Sequence, residues 1–396
     1  MTVTERFLKY VSYETTAGEE KEKSCSDEKM LRLSDELLQE LFALHPESIA
    51  INRYGVIDCK FSGDEKKKRV AFLAHVDTSP QASGKDIQPK IVRYEGEKIV
   101  LKDGKVLSEE AFPHLKNALG HDIIVTSGET LLGGDDKAGI AIIMTALKDV
   151  LSEEGHRPLE IIFTTDEEIG ADAKHVSMEL VESEYGYTID GGDDRFVSIE
   201  SFTARSMDVM VDGKSIHPGS AKDKMVHATN LLVDFHTSLP RYLRAEHTEK
   251  KEPFYHLCSL SGTEEKAKAE YIIRSFDEDE IQKLSDLALF TAARMNELVG
   301  YEAIHVSIKE QYHNMKTVLD KYPAIQEEIK RVYGKLGRKY EYEAIRGGTT
   351  GSQLSFMGLP CPNLGTGDYN CHGPYEYVDI QEMEEMVLVV KELMRG

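Results

Sequence analysis

Ile161-Ile162-Phe163-Thr164-Thr165-Asp166-Glu167-Glu168-Ile169-Gly170 is the stretch on which the reading of this sequence turns. An apolar run rich in β-branched and aromatic residues reads as a buried strand, and this one runs straight into three acids. Ionised carboxylates in a poorly solvated place are costly unless they are neutralised or coordinate a metal. The stretch therefore points to a metal site in which one glutamate binds the ion and its neighbour has another task. A solvated acidic turn is the competing reading, since 70 of the 396 residues are Asp or Glu.

Upstream, Val70-Ala71-Phe72-Leu73-Ala74-His75-Val76-Asp77 is a second apolar run that ends in chemistry, closed by Pro80. Residues two apart on a strand point the same way. His75 and Asp77 either share a face, or Asp77 orients the imidazole through its other nitrogen, a common arrangement for metal-bound histidine. Gly133-Gly134-Asp135-Asp136-Lys137 leads into an apolar helix over residues 140–150. Glycines ahead of paired acids allow unusual backbone geometry and close approach to a ligand. A phosphate-binding loop is excluded, because the Gly-x-x-x-x-Gly-Lys-Ser/Thr spacing is missing. Downstream, Tyr187-Thr188-Ile189-Asp190 is a third run that ends in an acid before glycines. Strand and helix signals alternate over residues 70–200, which implies a mainly parallel sheet with ligand sites at the carboxyl ends of its strands.

Helical spacing also covers residues 4–11, 27–44 and 172–183, and Ser26 or Asp27 can cap the second of these. Residues 83–122 read as a β-rich excursion. From about residue 204 the pattern changes to four strands and two helices, a compact α/β sandwich over 204–312 inserted into the first domain. The expected fold class is α/β: a mixed, mainly parallel sheet in a discontinuous domain, 1–203 and 313–396, with the inserted two-helix, four-strand sandwich. A net charge of −22 without a basic stripe opposes nucleic-acid binding. Five scattered cysteines without Cys-x-x-Cys spacing favour reduced thiols. The first residues lack a signal-peptide pattern and no run approaches about 18 apolar residues, so a cytoplasmic protein without membrane attachment is expected.

Eight segments then carry a resemblance: AHVDTSP, GGDDKAGIA, FTTDEEIG, TIDGGD, HPGSAK, YIIRSFD, IRGGTTGSQLSFMGLPCPNL and NCHG. In this order and spacing they resemble the tripeptide-aminopeptidase branch of the M20 metallopeptidases, from Glu5 to the C-terminal helix. The resemblance implies a two-zinc site, with cobalt or manganese as possible substitutes. His75 and Asp190 would bind one ion, Glu168 and His372 the other, and Asp135 would bridge them. Glu167 would be the general base and Asp77 would orient His75. His217 would reach a partner subunit's active site in a homodimer formed through the inserted lid domain. Arg274 and Arg346 would take a peptide carboxylate. The implied substrates are short peptides, tripeptides above all.

The chain departs from the branch pattern at four places. Thr350 stands where Asp is common, Ser352 where Ala is common, Glu200-Ser201-Phe202-Thr203 where asparagines are usual, and His227 where Asn is frequent. None removes a ligand or Glu167; they bear on peptide preference. The competing readings are an M20 hydrolase acting on dipeptides or N-acyl amino acids, and a non-catalytic zinc-binding scaffold.

Overall fold

Leu159–Thr164 is a strand buried along its whole length, as expected of an apolar strand covered on both faces. It runs parallel to Val70–His75 on one side and antiparallel to Ile57–Phe61 on the other. These belong to an eight-stranded sheet ordered Ser48–Ile51, Ile57–Phe61, Leu159–Thr164, Val70–His75, Tyr185–Ile189, Asn363–Leu364, Phe196–Ser201, Glu341–Ile345. The centre is parallel, whereas the Ser48–Ile51, Ile57–Phe61 and Phe196–Ser201 strands pair antiparallel. The structure, a computed structural model, describes residues 1–396.

The chain divides into two units: residues 1–199, 317–343 and 349–396 in the first, and 200–316 with 344–348 in the second. In the first unit the helix Gly134–Val150 is almost wholly buried and packs against Val70–His75 and the C-terminal helix Ile380–Arg395. Gly139 lets the helix also lie close to the strand Tyr185–Ile189: a Cβ there would lie 1.9 Å from the carbonyl oxygen of Ile189. A smaller sheet orders Asp368–Tyr369, Tyr377–Asp379, Asp122–Val125 and Lys90–Arg93. It joins part of the β-rich excursion to the segments that flank His372.

The second unit is a four-stranded antiparallel sheet, ordered Phe254–Gly262, Lys266–Ser275, Thr203–Asp212, Ile304–Tyr312. Met207, Val209 and Val211 alternate onto one face and meet Leu232 and Phe235 of the helix Ala228–Ser238 and Ile281, Leu284 and Ala288 of Glu278–Val299. Residues 344–348 join this unit, where Phe202 N–H donates to Ile345 O at 3.2 Å. The expected fold class holds: a mixed α/β sheet domain with a separate, sheet-rich insert.

One expected helix is absent. Residues 172–183 form only the short turn Ala173–His175, because tertiary partners take the groups a helix would use. Glu160 accepts from the N–H groups of Glu182 and Ser183, and Asn52 donates to His175 O at 2.7 Å. The second helix also starts later, at Leu31, after a turn that Asp27 caps through Lys29 N–H. All five cysteines are unpaired, and no helix is long and apolar enough to cross a membrane.

Phe163 is fully buried in the central sheet. Phe163→Ala is expected to lower the stability of the first unit by about 3–5 kcal/mol, read from the midpoint of its urea unfolding transition.

Candidate active site

The parallel register brings three strand ends together. His75, the last residue of its strand, lies opposite Thr164, and Glu167 and Glu168 follow in the next turn, flanked by Asp166 and Gly170 in left-handed conformation. Asp190 directly follows Tyr185–Ile189. Asp135 lies at the start of the helix Gly134–Val150, and His372 in the turn before Tyr377–Asp379. Two groups of ligand atoms result, His75 with Asp135 and Asp190, and Asp135 with Glu168 and His372, each within 4.8 Å. Asp135 is common to both. Its Oδ1 is 2.8 Å from His75 Nε2 and its Oδ2 3.2 Å from His372 Nε2. His372 Nε2 is also 3.0 Å from Glu168 Oε2, and His75 Nε2 3.9 Å from Asp190 Oδ1.

The electrostatics fit a cation. No Lys or Arg pairs with these carboxylates; the nearby Lys137 donates to Tyr13 O. Burial, with Asp135 close by, pushes Asp190 up to about 8. Burial also raises Glu168, whose Oε1 has no partner. Bonds to Asp135 and Glu168 push His372 up to about 11. His75 lies well above its ordinary range although burial opposes this, because Asp135 and Asp77 face it. A bound cation would meet the negative charge that burial makes costly on Glu168 and Asp190. A third acidic group, Asp193, Asp194 and Glu382, differs: Arg195 pairs with Asp193, Arg338 with Asp194, and Tyr369 donates to Glu382.

Three buried acids hold this arrangement without joining it. The Asp77 carboxylate accepts from the N–H groups of Glu167 and Glu168, both at 3.1 Å. Its main-chain oxygen is 3.0 Å from His75 Nδ1, with the carboxylate at 3.6 Å. Asp77 therefore meets His75 mainly through its carbonyl and the Glu167 turn through its side chain. Asp136 accepts from His75 N–H at 3.1 Å and Gly139 N–H at 3.2 Å. Glu376 accepts from four successive N–H groups, Leu132 to Asp135. The roles of Asp136 and Glu376 escaped the sequence reading; only the doubled acid at 135–136 hinted at the first. Glu167 itself makes no hydrogen bond through its carboxyl. Burial first, then the charges of Asp172, Asp190 and Asp135, hold that carboxyl well above the usual carboxylate range, with His75 opposing.

The sequence profile of peptidase family M20/M25/M40 matches residues 132–396. The chain is 39% identical over 399 residues to a peptidase T of Caldanaerobacter subterraneus subsp. tengcongensis, covering 99% of this chain and 98% of that one. The chain belongs to peptidase family M20. It is a peptidase. The fold agrees: aminopeptidase PepT from Bacillus cereus superposes with a TM-score of 0.77 at 19% identity, over 99% of this chain and 97% of that one. A dinuclear metal binding M20 peptidase, YXEP of Bacillus subtilis, does so with 0.64 at 12% identity, over 99% and 98%.

The other residues implied by the M20 resemblance lie in the second unit. His217 is exposed, its Nδ1 accepting from Gly219 N–H. Arg274 is buried on Lys266–Ser275; its Nη1 donates to Arg205 O and Ile273 O, and its guanidinium lies over Tyr312. Arg346 donates to Lys250 O, Glu252 O and Thr248 Oγ1, and its guanidinium lies against the edge-on pair of rings Phe202 and Phe254.

Thr350, where this chain departs from the branch, donates to Asp172 Oδ2 at 2.5 Å, and both residues are buried. Burial pushes Asp172 up to about 6 against that bond. A carboxyl whose folded pKa is raised adds stability below its unfolded value, near 3.8, and loses it as pH rises through the folded one. Asp172→Asn, which cannot ionise, is therefore expected to gain stability relative to the parent by roughly 3 kcal/mol between about pH 4 and pH 6. Urea unfolding of the metal-stripped proteins across that range checks it.

Proposed function

We propose that the chain is a two-metal aminopeptidase that removes the N-terminal residue from short peptides, tripeptides above all. The observation that carries this is Asp135, whose two oxygens each face one histidine, so that two ligand groups share a single carboxylate. In this reading His75 and Asp190 would hold one ion and Glu168 and His372 the other, with Asp135 offering an oxygen to each. Zinc suits imidazole and carboxylate ligands, with cobalt or manganese as substitutes. When bound, such a pair of ions supplies Lewis acidity and lowers the pKa of a water from about 15.7 toward about 7.

The remaining work falls to the chain's own side chains. Glu167 has its backbone N–H anchored by Asp77 and its carboxyl unpartnered. It takes the proton of the attacking water and passes it to the leaving amine. Its crowding by other acids favours holding that proton between the two steps. In a homodimer formed through the second unit, His217 is the donor offered to the partner's site, where it would stabilise the tetrahedral oxyanion. Arg274, with no carboxylate partner, takes the C-terminal carboxylate of the peptide, which limits peptide length from that end. The sequence resemblance to the tripeptide branch, and a relative named peptidase T, support tripeptides.

A panel of free and N-acetylated di-, tri- and tetrapeptides tests the reading. Fastest hydrolysis of free tripeptides is expected; preference for dipeptides or N-acyl amino acids would replace it with the related M20 hydrolase activity. Glu167→Ala should lower kcat by about 10²–10⁴-fold while metal analysis finds the parent's content. Retained hydrolysis would remove Glu167 from its role. Arg274→Met should raise KM for tripeptides with a free carboxyl terminus by roughly 10–100-fold, the equivalent of a lost hydrogen bond to a charged group. C-terminally amidated peptides, compared in the same assay, should be little affected.

A further inference from the structure

We propose that Glu376 is the positioning residue for Asp135, and that it sets the affinity of the ion held by Asp135, Glu168 and His372. This rests on the two-metal reading above. Glu376 is 1% exposed. Its Oε2 accepts from Leu132 N–H at 2.6 Å and Gly133 N–H at 3.1 Å, and its Oε1 from Gly134 N–H at 2.6 Å and Asp135 N–H at 3.3 Å. Successive main-chain N–H groups curled round one point form an anion-binding concavity. Here the anion is the protein's own side chain.

The loop is shaped for it. Gly133 has a φ of +80°, and a Cβ on Gly134 would come within 2.2 Å of Asp368 Oδ1. Glu376 also stands four residues beyond His372, with Gly373, Pro374 and Tyr375 between them. One side chain thus ties the loop that carries Asp135 to the turn that carries His372. Glu168 is fixed independently, through Asp77. His75 and Asp190 lie at separate strand ends and have no bond to Glu376. Displacing Glu376 therefore alters the spacing of Asp135 and His372 more than that of His75 and Asp190.

Glu376→Gln keeps the shape but turns an amide N–H₂ toward two of the four donors. Outer-shell partners of this kind typically change metal affinity by about 10–100-fold. The test is zinc titration of the stripped full-length chain against a competing chelator, for the parent, Glu376→Gln and Glu376→Asp. The control is Glu160→Gln, which alters a fully buried carboxylate that also accepts main-chain N–H groups but lies outside both ligand groups. One of the two ions should weaken by about 10–100-fold in the Glu376 variants and neither in Glu160→Gln. At limiting zinc the kcat of Glu376→Gln should fall with KM unchanged, and excess zinc should restore it. Parental affinity for both ions in a folded Glu376 variant overturns the proposal. So does unfolding of both stripped Glu376 variants while Glu160→Gln stays folded, which would assign Glu376 to the fold alone. A parent chain that binds fewer than two ions would instead sink the two-metal reading.

Discussion

Several carboxylates meet within a few ångströms around Asp135, in a place without a lysine or arginine to neutralise them. Bringing like charges out of water and close together is strongly unfavourable, so the arrangement persists only because something else fixes each acid. The structure divides the work between two kinds of carboxylate. Asp135, Glu168 and Asp190 face one another and the two histidines. Asp77, Asp136 and Glu376 turn to main-chain N–H groups instead and hold the segments from which the first three project. The anchors engage their oxygens with main-chain N–H groups; Asp135, Glu168 and Asp190 do not, which leaves theirs free to face a cation in the two-metal reading.

The same division explains where the backbone departs from ordinary geometry. Asp166 and His372 are non-glycine residues with φ of +71° and +67°, a conformation that costs on the order of 1–3 kcal/mol and persists only where surroundings over-determine it. Ser26 N–H donates to the Asp166 carboxylate, and Asn370 Nδ2 donates to Tyr375 O across the His372 turn. Asp166 immediately precedes the Glu167–Glu168 turn and His372 is itself in the cluster, so local bonds hold both segments in place against the backbone's own preference.

Much of this was legible in the sequence, and for a clear reason. A buried parallel strand is a continuous apolar run, and an acid or histidine at its end is conspicuous even in a chain this acidic; His75, Glu168 and Asp190 were all readable that way. Which of Glu167 and Glu168 has which task came from family resemblance, since spacing alone does not separate neighbours. The anchors were harder. Glu376 is one acid among 70, and its partners are backbone groups, which leave no trace in residue identity. Residues 172–183 failed for the same kind of cause: helical spacing was present, but Glu160 and Asn52 captured the N–H and C=O groups on which a helix depends.

Arg274 and Arg346 show how far a shared residue type carries. In sequence both are arginines in recognisable motifs, and the resemblance gives them one task. In the second unit their environments diverge. Arg346 has three acceptors on its two Nη atoms and two aromatic rings against its guanidinium, which makes it a staple that holds residues 344–348 to Thr248, Lys250 and Glu252. Arg274 uses Nη1 alone, for two carbonyls, and keeps the Nε and Nη2 edge unengaged. That edge is the one a guanidinium presents to a carboxylate in bidentate contact. A buried, permanently charged group without an anionic partner is costly to maintain. A carboxylate brought by the peptide would relieve that cost, so Arg274 fits substrate recognition better than Arg346 does.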